Sequence, residues 1–376
     1  MIYPTIFGID SHARTTTICA LETETGVTTT RTFRGNDYGE MAGWMAGFPA
    51  PGYGVYEAGC TGFVPARELT GGGVTVVPIA PSKVPTSAES RTRKNDRNDA
   101  TRLARLALAG ELREVWVPTG EVEGLRDLVH ALDDLKDQRE RAFRRCEALL
   151  CRHGVVWDER TPSGRPRGSW GARWWEWLRS VDLGDPASQA ALLAAIRAAE
   201  SAREQYDDAL GRARELAAAS PLAGTVDALA CLKCVSFVTA LAFAAEVGDF
   251  SRFASGRRVT SYLGLAPSES SSGPSVRLGA VSRCGNGLLR SLLVEGAWAA
   301  ARGNPARAKA CPASVDPRVR ERAATLSRRL CERRRSLAAL GVPPCKANVA
   351  TAAELGRFML FLGREQQAIE AGPAEA

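Results

Sequence analysis

Histidine is scarce in this chain of 376 residues: only His12, His130 and His153 occur, and none lies in the second half. The second half therefore has no local serine–histidine pair, which disfavours a serine–histidine–aspartate hydrolase. No uncharged apolar run approaches the ~18 residues that cross a bilayer, so we expect no membrane span. The first residues lack the basic and apolar regions of a signal peptide, and we expect a reducing cytoplasm.

The ten cysteines are scattered, and only Cys231 and Cys234 form a CxxC pair. There is no second pair and no histidine nearby, so a zinc site would lack ligands. We predict that these two cysteines pack between helices. The hydrophobic fraction of 45% and the charged fraction of 24% are those of a globular protein and argue against global disorder.

Positive charge is concentrated in one part of the chain. The net charge is +7, yet residues 270–335 alone contain fourteen Arg or Lys against four Asp or Glu. Neutralisation of phosphates supplies most non-specific affinity for nucleic acids, so this surplus favours a polyanionic partner. A solvated arginine-rich helix face is the alternative for any single run, such as Arg333 to Arg335.

The first third of the chain predicts an α/β domain, because short β-rich runs alternate with amphipathic helical segments. Three strands joined by tight turns are followed by a crossover and two more strands, which is the ribonuclease-H-like (RuvC-like) arrangement. We therefore predict an α/β domain over 1–118, a helical coiled-coil region over 119–220 and an all-α domain over 221–376.

The middle region has apolar residues at three- and four-residue spacing over Glu121 to Gly154 and again over Ser188 to Ala219. This spacing predicts two long helices that pair as an antiparallel coiled coil. Between them lie five of the eight tryptophans. We favour packing over base stacking for these rings, because Trp-rich stretches more often fill a hydrophobic contact.

Four carboxylates are placed to meet in the α/β domain. Asp10 follows the first predicted strand and Glu57 ends the fourth, and with strand order 3-2-1-4-5 these strands are neighbours. Asp96 and Asp99 are three apart at a helix start and share one face. Converging acids repel unless cations neutralise them, and hard oxygen ligands suit Mg²⁺ or Mn²⁺. Singly, Asp10 could bind phosphate as in actin-like ATPases, and Asp96 or Asp99 could cap the helix.

A serine-rich loop is the second informative segment. It runs from Pro267 to Gly273, contains Ser270, Ser271 and Ser272, and is followed by Arg277, Arg283 and Arg290. A flexible loop is the simplest explanation of serine and glycine alone. A serine among arginines also suits attack on a phosphate, because cations stabilise the charge that develops.

These motifs make the sequence similar to the insertion-sequence transposases of family one-ten, relatives of pilin-gene-inverting recombinases. The similarity spans nearly the whole chain. It rests on an ordered set of motifs: Gly8-Ile-Asp10, Tyr56-Glu-Ala58, Lys94-Asn-Asp-Arg-Asn-Asp-Ala100, Val115-Trp-Val-Pro118, Ala245-Glu-Val-Gly-Asp-Phe250, Tyr262-Leu-Gly-Leu265, Pro267-Ser-Glu269, Ser271-Ser-Gly273 and Glu295-Gly-Ala-Trp298. Cys231-Leu-Lys-Cys234 departs from the family, many of whose members have a Gly-containing turn there.

The resemblance implies a DNA transposase or site-specific recombinase in which Asp10, Glu57, Asp96 and Asp99 form a metal site. It further implies that Ser272 is the nucleophile and that donor and target DNA ends are the substrates. From the positive charge of this segment we expect Arg277, Arg283 and Arg290 to contact nucleic acid. Some members are guided by a structured bridge RNA, so a non-coding guide RNA and a homo-oligomer, dimer or tetramer, are expected partners.

Alternatives to this assignment remain open. Ser270 and Ser271 compete with Ser272 as nucleophile. A hydrolytic Holliday-junction-resolvase-like nuclease would use only the four carboxylates and water. A non-catalytic nucleic-acid-binding module would carry the same acids in structural roles. An actin-like ATPase is disfavoured because the sequence lacks its glycine-rich phosphate loops.

Overall fold

The computed structural model describes residues 3–81, 84, 95–269, 278–302 and 309–372. The chain forms two compact units, Met1–Thr119 and Gly120–Ala376. The division into three domains at 118 and 220 remains a prediction. No helix within the described ranges is long and apolar enough to span a membrane.

The first unit is built on a five-stranded sheet with the order β3-β2-β1-β4-β5, which confirms the predicted order. β1 pairs antiparallel with β2 and parallel with β4, β2 pairs antiparallel with β3, and β4 pairs parallel with β5. The strands are β1 (Thr5–Ser11), β2 (Thr15–Glu22), β3 (Thr28–Arg34), β4 (Gly52–Glu57) and β5 (Val74–Ile79). β1 is buried over Thr5 to Ile9, as expected of a central strand.

Helices cover both faces of this sheet: α1 (Tyr38–Met45), α2 (Val64–Leu69) and α3 (Asp96–Leu108). Phe7 and Ile9 of β1 share one core cluster with Met41 and Met45 of α1. On the other face Ile6 clusters with Ala100 and Ala104 of α3. Alternate residues of a strand point to opposite faces, so β1 serves both cores and fixes α3 against the sheet.

The second unit is helical, as predicted, with one short β-hairpin that the sequence did not indicate. Its helices are α4 (Gly120–Arg152), α5 (Ala172–Ser180), α6 (Pro186–Ala218), α7 (Ala223–Ala230), α8 (Phe237–Val247), α9 (Gly256–Tyr262), α10 (Gly287–Arg302), α11 (Pro317–Ala339) and α12 (Pro344–Glu370). A 3₁₀ turn spans Phe250–Arg252, and the hairpin consists of β6 (Pro267–Glu269) and β7 (Leu278–Val281).

The long helices α4 and α6 pack against each other. Residues late in α4, such as Phe143 and Leu149, share a core cluster with Leu192 early in α6. Earlier in α4, the Arg139 guanidinium lies 4.1 Å from the ring centroid of Tyr206, which is late in α6. This order is that of an antiparallel pair, whereas a coiled coil remains a prediction.

The tryptophan-rich segment packs onto this helix pair. Trp174 and Trp175 are buried, at 1% and 2% exposure, and their rings contact Phe143 of α4. The Trp170 indole donates a hydrogen bond to Glu147 over 3.1 Å. Burial of the two central rings confirms the predicted packing role.

Cys231 and Cys234 lie in the turn between α7 and α8, where both are buried and free. Burial raises the pKa of the Cys234 thiol to about 12, so it remains protonated at neutral pH. Lys309 donates hydrogen bonds from its ammonium to the carbonyls of Ala230, Leu232 and Val235 around this turn. The turn is thus held by burial and by the Lys309 ammonium.

Candidate metal site at the carboxyl ends of two parallel strands

Asp10 and Glu57 lie at the carboxyl ends of neighbouring parallel strands. Ile9 of β1 is opposite Tyr56 of β4, so the next residue on each strand is a carboxylate. Asp10 falls inside β1 and Glu57 is the last residue of β4. Ligand sites of α/β sheets commonly form at this edge, where the connections diverge.

Asp96 and Asp99 lie in the first turn of α3. The N-cap is Asn95, whose side chain accepts a hydrogen bond from the amide of Arg97, so neither aspartate caps the helix. The capping alternative is therefore wrong for both acids. Their charge near the positive end of the helix dipole is favourable, and both remain available for other partners.

The described residues contain one group of three side chains whose ligand atoms all lie within 4.8 Å of one another: Asp10, His12 and Asp96. The Asp10 Oδ1 to His12 Nε2 distance is 3.3 Å. The Asp10 side chain is 18% exposed, whereas His12, at 49%, and Asp96 are exposed, so the cluster is open to solvent. Two carboxylate oxygens and one imidazole nitrogen are a donor set that fits a divalent cation.

Asp10 is held where its negative charge is disfavoured. Burial raises the pKa of its carboxyl group, and repulsion from Asp96 and Asp99 raises it further, against the lowering influence of His12. A cation at this position would relieve both effects. The electrostatics of the cluster therefore fit a metal ligand.

Glu57 and Asp99 lie near the guanidinium of Arg102. Nη2 of Arg102, one turn along α3, lies 3.6 Å from Glu57 Oε1 and 3.9 Å from Asp99 Oδ1. The Arg102 Nε is buried and has no hydrogen-bond partner among the described residues. The four predicted carboxylates thus lie around two positions, one beside His12 and one beside Arg102.

Sequence analysis did not select His12 or Arg102. His12 could have been found, because residues two apart at a strand end point to the same side, as do Asp10 and His12. Arg102 is three residues after Asp99 and therefore neighbours it on the helix surface. Its approach to Glu57 depends on how α3 crosses the sheet, which spacing alone does not give.

The predicted nucleophile Ser272, its competitors Ser270 and Ser271, and Arg277 lie outside the described residues. The hairpin on either side of them is described: Pro267 pairs with Val281, and Glu269 pairs with Leu278. Arg283 is exposed and has a positive φ of 55°. Nη1 of Arg290 donates hydrogen bonds of 3.3 Å to the carbonyls of Leu263 and Arg283, so it also supports the base of the hairpin.

Comparison with known proteins matches both parts of the chain to transposases. Residues 7–154 match the IS110-type DEDD model described as "Transposase", and residues 226–311 match the model described as "Transposase IS116/IS110/IS902 family". The first match contains Asp10, Glu57, Asp96 and Asp99. The second match contains the serine-rich segment and the strands β6 and β7 on either side of it.

Individual relatives carry the same description. The chain is 35% identical over 316 residues to "Putative transposase y4qE" of Sinorhizobium fredii, covering 83% of this chain and 75% of the relative. It is 28% identical over 235 residues to the transposase for insertion sequence element IS1111A of Coxiella burnetii, covering 62% and 61%. The fold and these matches define a transposase, whose substrate is DNA. The chain belongs to the IS116/IS110/IS902 family of insertion-sequence transposases.

Proposed function

We propose that this transposase cuts and rejoins DNA through a covalent serine–phosphate intermediate, assisted by divalent metal at the carboxylate site. The observation that carries the proposal is the convergence of Asp10 and Asp96, 86 positions apart in sequence, within ligand distance of one another. Carboxylates that meet where their negative charge is disfavoured lower the stability of the fold unless a cation neutralises them. Such clusters are therefore candidate functional sites.

The sheet supports a RuvC-like (ribonuclease-H-like) assignment for the first unit. Its antiparallel β3-β2-β1 portion continues into the parallel β4 and β5, and acids end the adjacent strands β1 and β4. The matched DEDD transposase model is in keeping with divalent-metal dependence. Asp10, Glu57, Asp96 and Asp99 would hold Mg²⁺ or Mn²⁺.

When bound, the metal would supply positive charge that activates an attacking oxygen and stabilises a leaving one. The residues of the chain bind and orient: β1, β4 and α3 hold the carboxylates, and the serine segment lies between β6 and β7 in the sequence. Because serine is a weak nucleophile at neutral pH, it needs an activating group. We propose that the hairpin docks at a carboxylate site, in the same or another subunit of a homo-oligomer.

In the cleavage step, the Ser272 oxygen forms a bond to phosphorus while the bond from phosphorus to a deoxyribose oxygen breaks. The serine proton leaves, and the departing oxygen takes up a proton. Rejoining reverses these changes with an oxygen from a different DNA end, so the ester conserves the bond energy and no nucleotide cofactor is needed. Arg277, Arg283 and Arg290 would contact the nucleic acid and stabilise the charge on phosphate.

A structured non-coding guide RNA is the second proposed partner. The basic helix α11 supports this, because exposed arginines along it suit phosphate backbones. Recombination by RNA-free protein, at equal rates with and without added RNA, would contradict the RNA requirement.

The test of the serine step is to trap the protein on a nicked DNA substrate and map the adduct by mass spectrometry. We expect DNA joined to Ser272 and no adduct in Ser272→Ala. An adduct on Ser270 or Ser271 would move the assignment. Undiminished cleavage by Ser272→Ala without any adduct would instead support the hydrolytic nuclease.

A further inference from the structure

The carboxylate site has two chemically different halves. One half consists of Asp10, His12 and Asp96, in which an imidazole nitrogen lies among carboxylate oxygens. The other consists of Glu57 and Asp99, between which the guanidinium of Arg102 lies. The sequence analysis treats the four acids as equivalent, but one pair has His12 as its neighbour and the other pair has Arg102.

The His12 half offers a nitrogen donor to any cation that it holds. His12 is half exposed and follows directly after β1, so its ring can keep a solvent-facing position while Nε2 points at Asp10. Oxygen-only sites suit Mg²⁺ and Mn²⁺, whereas an imidazole ligand suits later transition metals such as Fe²⁺ and Zn²⁺. The donor set thus differs from the oxygen-only set expected of four carboxylates, and Mn²⁺ serves as a paramagnetic probe of it.

The Arg102 half already contains a positive charge. The side chains of Arg102 and Asp99 are 23% and 22% exposed, so their attraction is only partly screened by solvent. A divalent ion that binds Glu57 and Asp99 must compete with the guanidinium of Arg102, which α3 holds in place. Occupancy of this half should therefore require that Arg102 move away.

We propose that the site binds divalent ions unequally: the first ion binds at Asp10, His12 and Asp96 with His12 as a ligand, and Arg102 opposes binding of a second ion at Glu57 and Asp99. This inference rests on the proposed function, because it assumes that the carboxylates hold metal. A DNA phosphate near Arg102 would offer the guanidinium another anion and so release the two carboxylates.

The first measurement is Mn²⁺ binding to the full-length protein, followed by electron paramagnetic resonance. Electron spin-echo modulation from a directly bound nitrogen is expected in the wild type and should disappear in His12→Gln. His153→Gln is the matched control, since His153 is exposed and belongs to the other unit. Nitrogen modulation that survives His12→Gln, or that is absent from the loaded wild type, would overturn the role of His12.

The second measurement is the number of Mn²⁺ ions bound and their affinities by equilibrium dialysis. Arg102→Gln should tighten the second ion by roughly tenfold, the order expected when a partly solvated competing charge is removed. Arg102→Lys keeps the charge and should leave the second ion weak. Arg105→Gln, on an exposed position of the same helix, is the control.

Failure of the inference and failure of the metal site give different results. If Asp10→Asn binds Mn²⁺ as tightly as the wild type, the carboxylates do not hold metal and the proposed function loses its metal site. If Asp10→Asn loses binding while Arg102→Gln leaves the second affinity unchanged, the metal site stands and the role of Arg102 is refuted.

Discussion

Gly8 of β1 and Ala100 of α3 approach so closely that a β-carbon on Gly8 would lie 1.9 Å from the Ala100 carbonyl oxygen. The amide nitrogen of Ala104 would be 2.5 Å away. Both contacts are backbone atoms of a helix and cannot rotate aside. The missing side chain of Gly8 therefore sets how near Asp96 and Asp99 come to Asp10.

We predict that Gly8→Ala displaces α3 and disables the proposed metal site without altering a proposed ligand. Overpacking should lower the free energy of unfolding by about 1 to 3 kcal/mol, and Mn²⁺ binding should weaken with it. Gly43→Ala is the control, because nothing lies within 4 Å of its added β-carbon. Being inside α1, that change should be neutral or stabilising by roughly 0.5 to 1 kcal/mol. Equal Mn²⁺ affinity in folded Gly8→Ala and wild type would contradict the prediction.

Asp10→Asn should stabilise the protein in excess chelator. The change removes one of three mutually repelling carboxylates, and burial no longer opposes a charge at this position. The free energy of unfolding should rise by about 1 kcal/mol, because residues kept for function often lower stability by this amount. The same variant should gain no thermal stability from added Mn²⁺, whereas the wild type should. Thermal unfolding in chelator and in Mn²⁺ measures both effects, and a less stable variant in chelator would refute the first.

Trp174→Ala should destabilise the second unit by about 3 to 5 kcal/mol, because it empties a fully buried site beside Phe143 and Trp175. Trp298→Ala is the matched control, since that ring is 38% exposed, and it should cost clearly less. Denaturant unfolding provides the comparison. Equal losses of stability in Trp174→Ala and Trp298→Ala would contradict the packing role of Trp174.

Lys309→Met should cost roughly 1 to 3 kcal/mol, because the carbonyls around the Cys231–Val235 turn would lose their donor. Lys346→Met, at an exposed position, should stay within about 0.5 kcal/mol of the wild type. Because the Lys309 ammonium is bonded to these carbonyls, the salt dependence of DNA binding should not change. A slope reduced by about one would mean that Lys309 contacts a phosphate.

Much of the fold follows from local patterns in the sequence. α4 and α6 lie within two residues of their predicted bounds, because apolar periodicity is a local signal. α2 begins at Val64, since the preceding residues form a turn and Pro65 suits the start of a helix. The β6–β7 hairpin was missed because its strands are short and flank a serine segment typical of a loop.

The acidic residues of the candidate site could be predicted from the sequence, but the positively charged side chain beside them could not. Asp10, Glu57 and the two aspartates of α3 are indicated by strand ends and helix spacing, and the structure places Asp10 beside Asp96. Arg102 bridges residues on α3 and β4, a contact fixed by packing at Gly8 rather than by spacing. The assignments of Ser272 and of the three arginines remain predictions.

The close contact between Gly8 and α3 can form only late in the synthesis of the first unit. β1 and its partner β2 are neighbours in sequence and can pair early, whereas α3 lies some ninety residues further along the chain. Contacts across such a separation close a long loop and form late. A ribosome-bound chain therefore carries Asp10 without Asp96 for most of the time that the first unit takes to emerge. The nascent protein cannot bring Asp10 and Asp96 together until α3 has been translated.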